Sequence, residues 1–199
     1  MMKLMDITTI YDDLYETHGD TRKGFGWNID SVREIFYKTA LMITQWEGQS
    51  LLDVGCGTGE MLSYIKDHEL NVDYKGLDIN HQFVSDAKDR FPKGSFFQGD
   101  VAQIPTAAKA DYLIACGTFN ITADEGKKYE VVSGALKSMF EGCNKGIGGV
   151  FASDRGRDIK APHTSYDSDE ILQIGKSLTP YFQLNHHFSK DFFTIFLYK

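Results

Sequence analysis

Residues 51–62 read LLDVGCGTGEML, and this stretch constrains the chain more than any other. Leu51, Leu52 and Val54 around Asp53 have the density of a buried parallel strand. Gly55, Gly57 and Gly59 follow at alternate positions, and from Glu60 the sequence turns helical. A strand that passes through glycines into a helix brings bare backbone N–H groups close to a ligand, because no Cβ blocks the approach. Asp53 ends the strand at the edge where open α/β sheets bind ligands. A carboxylate there selects an ammonium or hydroxyls over a pyrophosphate. The glycine spacing differs from the G-x-G-x-x-G of dinucleotide-binding folds.

Two more carboxylates follow in register. YKGLD at 74–78 reads as a second strand ending in Asp78, about twenty residues beyond the glycines, where an acid accepts two hydrogen bonds from a ribose diol. SFFQGD at 95–100 reads as a third short strand running to Asp100. With DVGCGTG at 53–59, GLDIN at 76–80, GDV at 99–101 and DYLIACGTFNI at 111–121, the chain resembles the class I S-adenosylmethionine-dependent methyltransferases from about Ser50 to Lys199.

The remaining periodicities agree with that class. Alternating strands and helices (strand 51–54, helix 60–68, strand 74–78, helix 82–90, strand 95–98, strand 111–116, helix 126–141, strand 147–153, helix 168–178) imply a parallel sheet with helices on both faces. The β-rich runs 181–188 and 192–198 are separated by too few residues for a parallel crossover, so they pair antiparallel. The expected fold is α/β: a Rossmann-like, mostly parallel seven-stranded sheet with an antiparallel last strand. Upstream, residues 6–17 form a short helix with Ile7, Ile10, Tyr11 and Leu14 on one face. Residues 31–46 form a longer one, opened by a Ser31/Glu34 capping box and buried through Val32, Ile35, Phe36, Met42, Ile43 and Trp46. Residues 1–49 are expected to pack as a helical lid segment on a domain of residues 50–199.

The resemblance assigns roles. It implies S-adenosyl-L-methionine as cofactor, with Asp53, Gly55, Gly57 and Gly59 along the methionine part and Asp78 on the ribose hydroxyls. Ile79 packs on the adenine, Asp100 and the Val101 N–H meet its edge, and Cys116 lies beside the methionine. The segment 18–27, HGDTRKGFGW, reads either as a lid or substrate contact or as a linker that packs its aromatics on the domain; the resemblance, in which N-terminal segments close over the cofactor, implies the former with Arg22 on the methionyl carboxylate. The reaction needs a nucleophile held in line with an activated methyl group, away from water. Candidates for the acceptor side follow the fourth and fifth strands: Phe119, Asn120 and Asp124, then Asp154, Arg155, Arg157, His163 and Tyr166. His163, Tyr166 and Asn120 are the catalytic candidates, His163 first because its ordinary pKa is near neutral. His186 and His187, adjacent on the 181–188 run, point to opposite faces and cannot share a site.

Exclusions narrow the acceptor. The net charge of −7 lacks the basic patch of a general nucleic-acid binder. GTFN after the fourth strand lacks the Asn/Asp-Pro-Pro-aromatic motif of DNA amino-methyltransferases. It also lacks the carboxylate that metal-dependent catechol-type enzymes need, so no metal is expected; the double-glutamate loop of protein arginine methyltransferases is absent too. A small-molecule acceptor remains. Cys56, Cys116 and Cys143 are odd in number, lie in core-like segments without metal-ligand spacing, and point to a reducing, cytoplasmic setting. The sequence shows no membrane-spanning run and no signal-peptide pattern. Two other classes fit a similar sheet: a cofactor-binding sensor or scaffold without transfer activity, and an NAD-dependent oxidoreductase. The glycine spacing and the lack of a Tyr-x-x-x-Lys pair argue against the latter.

Overall fold

The computed structural model describes residues 7–18, 30–156 and 163–199, without the side chains of residues 18 and 30–33. Arg22, the other residues of 19–29 and Arg157 lie outside it, as do the Ser31 half of the capping box and the Val32 side chain.

The chain runs α1 (Ile7–His18), α2 (Asp30–Ala40), β1 (Gln49–Val54), α3 (Glu60–Asp67), β2 (Val72–Asp78), α4 (His81–Arg90), β3 (Ser95–Gln98), β4 (Ala110–Cys116), α5 (Lys128–Gly142), β5 (Cys143–Ala152), α6 (Ser168–Leu178), β6 (Phe182–Asn185) and β7 (Phe192–Tyr198). The seven strands form one sheet in the order β3-β2-β1-β4-β5-β7-β6. β1 through β5 are parallel, and β7 runs antiparallel to both β5 and β6. The expected mostly parallel sheet with an antiparallel last strand is therefore what the chain builds.

Two apolar layers sandwich the sheet. Leu51, Tyr74, Ile114, Val150 and Phe196 meet Phe36, Tyr37, Met61 and Ile65 on one side. Leu52, Val54, Leu113, Phe151 and Ile195 meet Val132, Leu136, Met139 and Ile171 on the other. The strands bury side chains on both faces because helices cover both.

Three expectations change. The second helix stops at Ala40, passes through a single 3-10 turn at 41–43 and becomes extended at Thr44. Its buried stripe is Phe36, Tyr37, Ala40, Leu41 and Ile43, while Ile35 and Met42 are 42% and 57% exposed. Early termination leaves Trp46 buried by a different route: its indole N–H donates to the Leu41 carbonyl at 2.9 Å. The fifth strand begins at Cys143, directly after α5, four residues earlier than its apolar run suggests. The run 181–188 is a strand only over 182–185, so both His186 and His187 lie beyond it. His186 packs on Phe193 and His187 on Phe188.

Candidate functional site

The carboxyl ends of β1, β2 and β4, with the loop after β3, open onto one cavity of about 580 Å³. It is built from the glycine turn outward. Gly55 and Gly57 have φ of +75° and +53°, a backbone that L side chains rarely adopt. A Cβ on Gly55 would lie 2.5 Å from Thr118 Cγ2, and Thr118 is itself anchored by donating to the Val54 carbonyl at 2.6 Å. The Gly55 and Cys56 N–H groups both donate to the Leu77 carbonyl, at 2.7 and 3.1 Å, which ties the turn to the end of β2.

Asp53 sits on the α2 face of β1, directly across from Gly76 of β2. It is 3% exposed and accepts a hydrogen bond from the Tyr74 hydroxyl at 2.8 Å. Burial raises its pKa to about 7; the Tyr74 bond opposes the rise and the Asp78 charge adds to it. Gly76 answers a packing need here: a Cβ there would fall 2.7 Å from Cys56 Sγ and from Phe96. Asp78 accepts from Gly57 N on one oxygen, at 2.8 Å, and from Asn80 N on the other, at 2.9 Å. Burial pushes its pKa up while those backbone N–H groups hold it down. Asp100 is exposed and caps the following turn by accepting from Ala102 N at 2.8 Å.

Asp53, Gly55, Gly57, Asp78, Ile79, Asp100, Val101 and Cys116 all line this cavity. Gly59 does not. Its φ of +82° starts α3, and the space a Cβ would need is taken by Phe91 and Phe96. Cys56 and Cys116 are both buried on the cavity wall, where burial and nearby carboxylates push their thiols well above the usual range. All three cysteines are free and buried. Among the described residues, no group of three or more His, Cys, Asp or Glu is placed to hold a metal ion.

The catalytic candidates lie elsewhere. None of Asn120, His163 and Tyr166 lines the cavity. The Asn120 side chain accepts from Ala152 N at 2.9 Å and its carbonyl accepts from Thr164 N at 2.9 Å, so it joins the loops that follow β4 and β5. His163 pairs in an isolated antiparallel bridge with Ile121. Tyr166 is 2% exposed, donates to the Phe119 carbonyl at 2.6 Å, and its phenol is pushed up by burial. The Asn120 and Tyr166 side chains, and the His163 backbone, tie together the loops that frame the site. Of the other loop candidates, Phe119 and Asp124 reach the wall, and Asp154 and Arg155 do not.

Sequence reasoning missed the roof. Ile7 and Tyr11 of α1, Tyr37 of α2 and Phe83 of α4 complete the wall. Tyr11 and Tyr15 both meet the Phe83 ring edge-on, with centroids at 6.0 and 5.1 Å. Asp12 accepts from the Asn80 amide at 2.7 Å, and Tyr15 bonds Asp86. The signal was the apolar face of α1: Ile7 and Tyr11 are one turn apart on it, yet they face the cavity. Thr58 was also missed. It lines the cavity at 1% exposure, and its buried hydroxyl has no partner among the described residues.

Fold and cavity define an α/β protein with a carboxylate-lined ligand cleft at the carboxyl edge of its sheet. Residues 51–139 match a family described as a methyltransferase domain. The magnesium-protoporphyrin O-methyltransferase of Rhodobacter capsulatus is 37% identical over 151 residues, 65% of this chain and 66% of that protein. A Mycobacterium tuberculosis protein assigned as a methyltransferase is 33% identical over 72 residues, 36% of this chain and 43% of its own length. The chain thus spans less than two thirds of either curated relative. Among solved structures, magnesium protoporphyrin IX methyltransferase from Synechocystis with bound S-adenosylmethionine superposes with a TM-score of 0.70 at 15% identity over 100% of both chains. Human N-acetylserotonin methyltransferase also gives 0.70, at 16% identity, covering 98% of this chain and 60% of that one. Residues 51–139 thus match a methyltransferase-domain family, and the chain as a whole has the fold of these S-adenosylmethionine-binding neighbours.

No helix among the described residues is long and apolar enough to cross a membrane.

Proposed function

We propose that this chain is an S-adenosylmethionine-dependent methyltransferase acting on a small-molecule acceptor. The observation that carries this reading is the convergence of Asp53, the Gly55–Gly57 turn, Asp78 and Asp100 on one cavity. The residues fit the cofactor's chemistry. Asp53 is a buried carboxylate suited to an ammonium, and Asp78 is oriented by two backbone N–H groups with lone pairs left for a diol. Ile79 and Val101 provide apolar contact for a flat ring beside Asp100, and the unpartnered Thr58 hydroxyl waits on a polar group.

The cofactor supplies an activated methyl group on a sulfonium. The chain's own residues bind, orient and exclude water. Tyr11, Tyr37, Phe83 and Phe119 form the apolar part of the wall that keeps water from the reacting centre. Residues 1–49 then act as a lid segment on the 50–199 core, a reading supported by Ile7 and Tyr11 facing the cavity. Arg22 on the methionyl carboxylate and Gly59 as a spacer of the turn complete the assignment. A small acceptor is supported by the R. capsulatus and human relatives, whose names give porphyrin and N-acetylserotonin substrates.

The test uses cofactor labelled in its methyl group, incubated with the full chain and cell extract split into small-molecule, protein and nucleic-acid pools. Label in the small-molecule pool that is lost in Asp78→Asn supports the proposal. Label in another pool overturns the acceptor class. Cofactor binding with no transfer to any pool selects the sensor reading.

A further inference from the structure

Asp53 and Asp78 stand on one cavity wall, and the chain treats them differently. Asp78 has a backbone N–H on each oxygen. Asp53 is as deeply buried and receives, among the described residues, the Tyr74 hydroxyl alone. A buried carboxylate with one neutral donor is costly to charge. The groups that face it do not relieve this. Asp78 lies on β2, Cys56 on the glycine turn and Cys116 on β4, with Tyr37 of α2 behind Tyr74. Among the described residues, none of the groups acting on Asp53 is a cation. Lys127, on the same cavity wall, is not one of them. The raised proton affinity of Asp53 follows from this setting.

We propose that before a ligand binds, Asp53 carries its proton, and that capture of a ligand ammonium displaces it. The coupling rests on the proposed cofactor site. The carboxyl O–H bond breaks, the proton leaves to solvent, and the carboxylate pairs with an ammonium that arrives already protonated. One positive charge enters as one leaves, so the buried wall never holds an uncompensated anion. Tyr74 is a positioning residue whose donated hydrogen bond favours the charged form. The consequence is a cleft that exchanges a proton for a cationic ligand. Affinity rises about tenfold per pH unit below the Asp53 midpoint and is level above it.

The test is calorimetric titration of the full chain with S-adenosylmethionine in buffers of different ionisation enthalpy, at pH ~6 and ~8. The wild type is expected to release close to one proton per ligand at the lower pH and few at the higher. Asp53→Asn is expected to lose that release; exchange by the ligand's own amine persists in both proteins and cancels in the difference. Tyr74→Phe is expected to move the release window to higher pH, which a merely structural tyrosine would not do. 5′-Methylthioadenosine, which has no ammonium, is expected to bind without displacing the proton. Equal release by wild type and Asp53→Asn at pH ~6 overturns the coupling. If Asp53→Asn does not fold, an unshifted window in Tyr74→Phe overturns it instead. Failure of S-adenosylmethionine to bind at any pH overturns the cofactor site itself, whereas binding without proton release overturns only the coupling.

Discussion

Tyr166 donates its hydroxyl to the Phe119 carbonyl at 2.6 Å, across forty-seven residues of sequence, and so ties the segment after β5 to the cavity wall after β4. The ring is wedged edge-on between Phe151 and Tyr129, with centroids at 5.4 and 5.7 Å. A phenol that is buried and already donating supports the wall rather than serving as a base. Tyr166→Phe is expected to cost about 1–3 kcal/mol in urea denaturation, because the Phe119 carbonyl loses its buried donor. The pH dependence of methyl transfer should keep its midpoint. A moved midpoint would return Tyr166 to the chemistry.

Gly55 and Gly48 separate conformation from crowding. Both have positive φ, +75° and +69°, but a Cβ on Gly48 meets nothing within 4 Å while one on Gly55 lands 2.5 Å from Thr118. Gly48→Ala should cost roughly 1–2 kcal/mol, the ordinary penalty for a left-handed L residue, and leave cofactor affinity unchanged. Gly55→Ala should cost more and abolish binding, since Thr118 must give up its bond to the Val54 carbonyl. Thermal melts with and without cofactor decide between them; equal penalties would mean that the crowding is relieved cheaply.

Asn80 holds two elements at once. Its side-chain oxygen caps α4 by accepting from Gln82 N and Phe83 N at 2.9 and 3.2 Å, and its amide donates to Asp12 of α1. Asn80→Ala should lose roughly 1–2 kcal/mol, the size of a helix cap. It should also free α1 from the cavity mouth, read as faster proteolysis within residues 7–18 by mass spectrometry. Unchanged cleavage would show that the Tyr11 and Tyr15 contacts with Phe83 hold α1 without Asp12.

Stability should also carry the signature of Asp53. Its folded pKa, about 7, is above that of an unfolded aspartate, so the stabilisation is full below the unfolded value and lost as pH rises. Between pH ~4 and ~7 the unfolded chain has released this proton and the folded one has kept it, so wild type loses up to ~1.4 kcal/mol per pH unit relative to Asp53→Asn. Above that window the difference should level off. Denaturation of both proteins across the range checks it, and a flat difference would place the ionised form in the folded state.

Much of this molecule is legible without coordinates because its signals are local. Gly55, Gly57 and Gly59 sit where the backbone must take positive φ, and such a turn can be read wherever it occurs. Asp53 lies one residue from the end of β1, Asp78 ends β2 and Asp100 follows β3, so a parallel sheet brings all three to one edge. The short gap before β7 forces antiparallel pairing. The second helix docks by the face that carries Phe36, Tyr37 and Ala40, which leaves Ile35 to solvent, and after the helix ends at Ala40 it is Leu41 and not Met42 that is buried; docking of this kind is not a local signal.

What the sequence determined by itself, then, is the sheet, the turn and the carboxylates at its edge, all set by short-range backbone preference and strand order. What only the tertiary structure decided is which polar side chains meet the cavity. Asn120, His163 and Tyr166 have the chemistry of catalysts, but none of them lines the cavity: the Asn120 and Tyr166 side chains bond backbone groups across the loops after β4 and β5, and His163 pairs there through its backbone. Tyr11 and Tyr37 look like ordinary helix-face residues, yet docking on the sheet brings both to the cavity wall. Residue type sets what a side chain is able to do; packing between elements distant in sequence sets whether it faces a ligand or a neighbouring carbonyl.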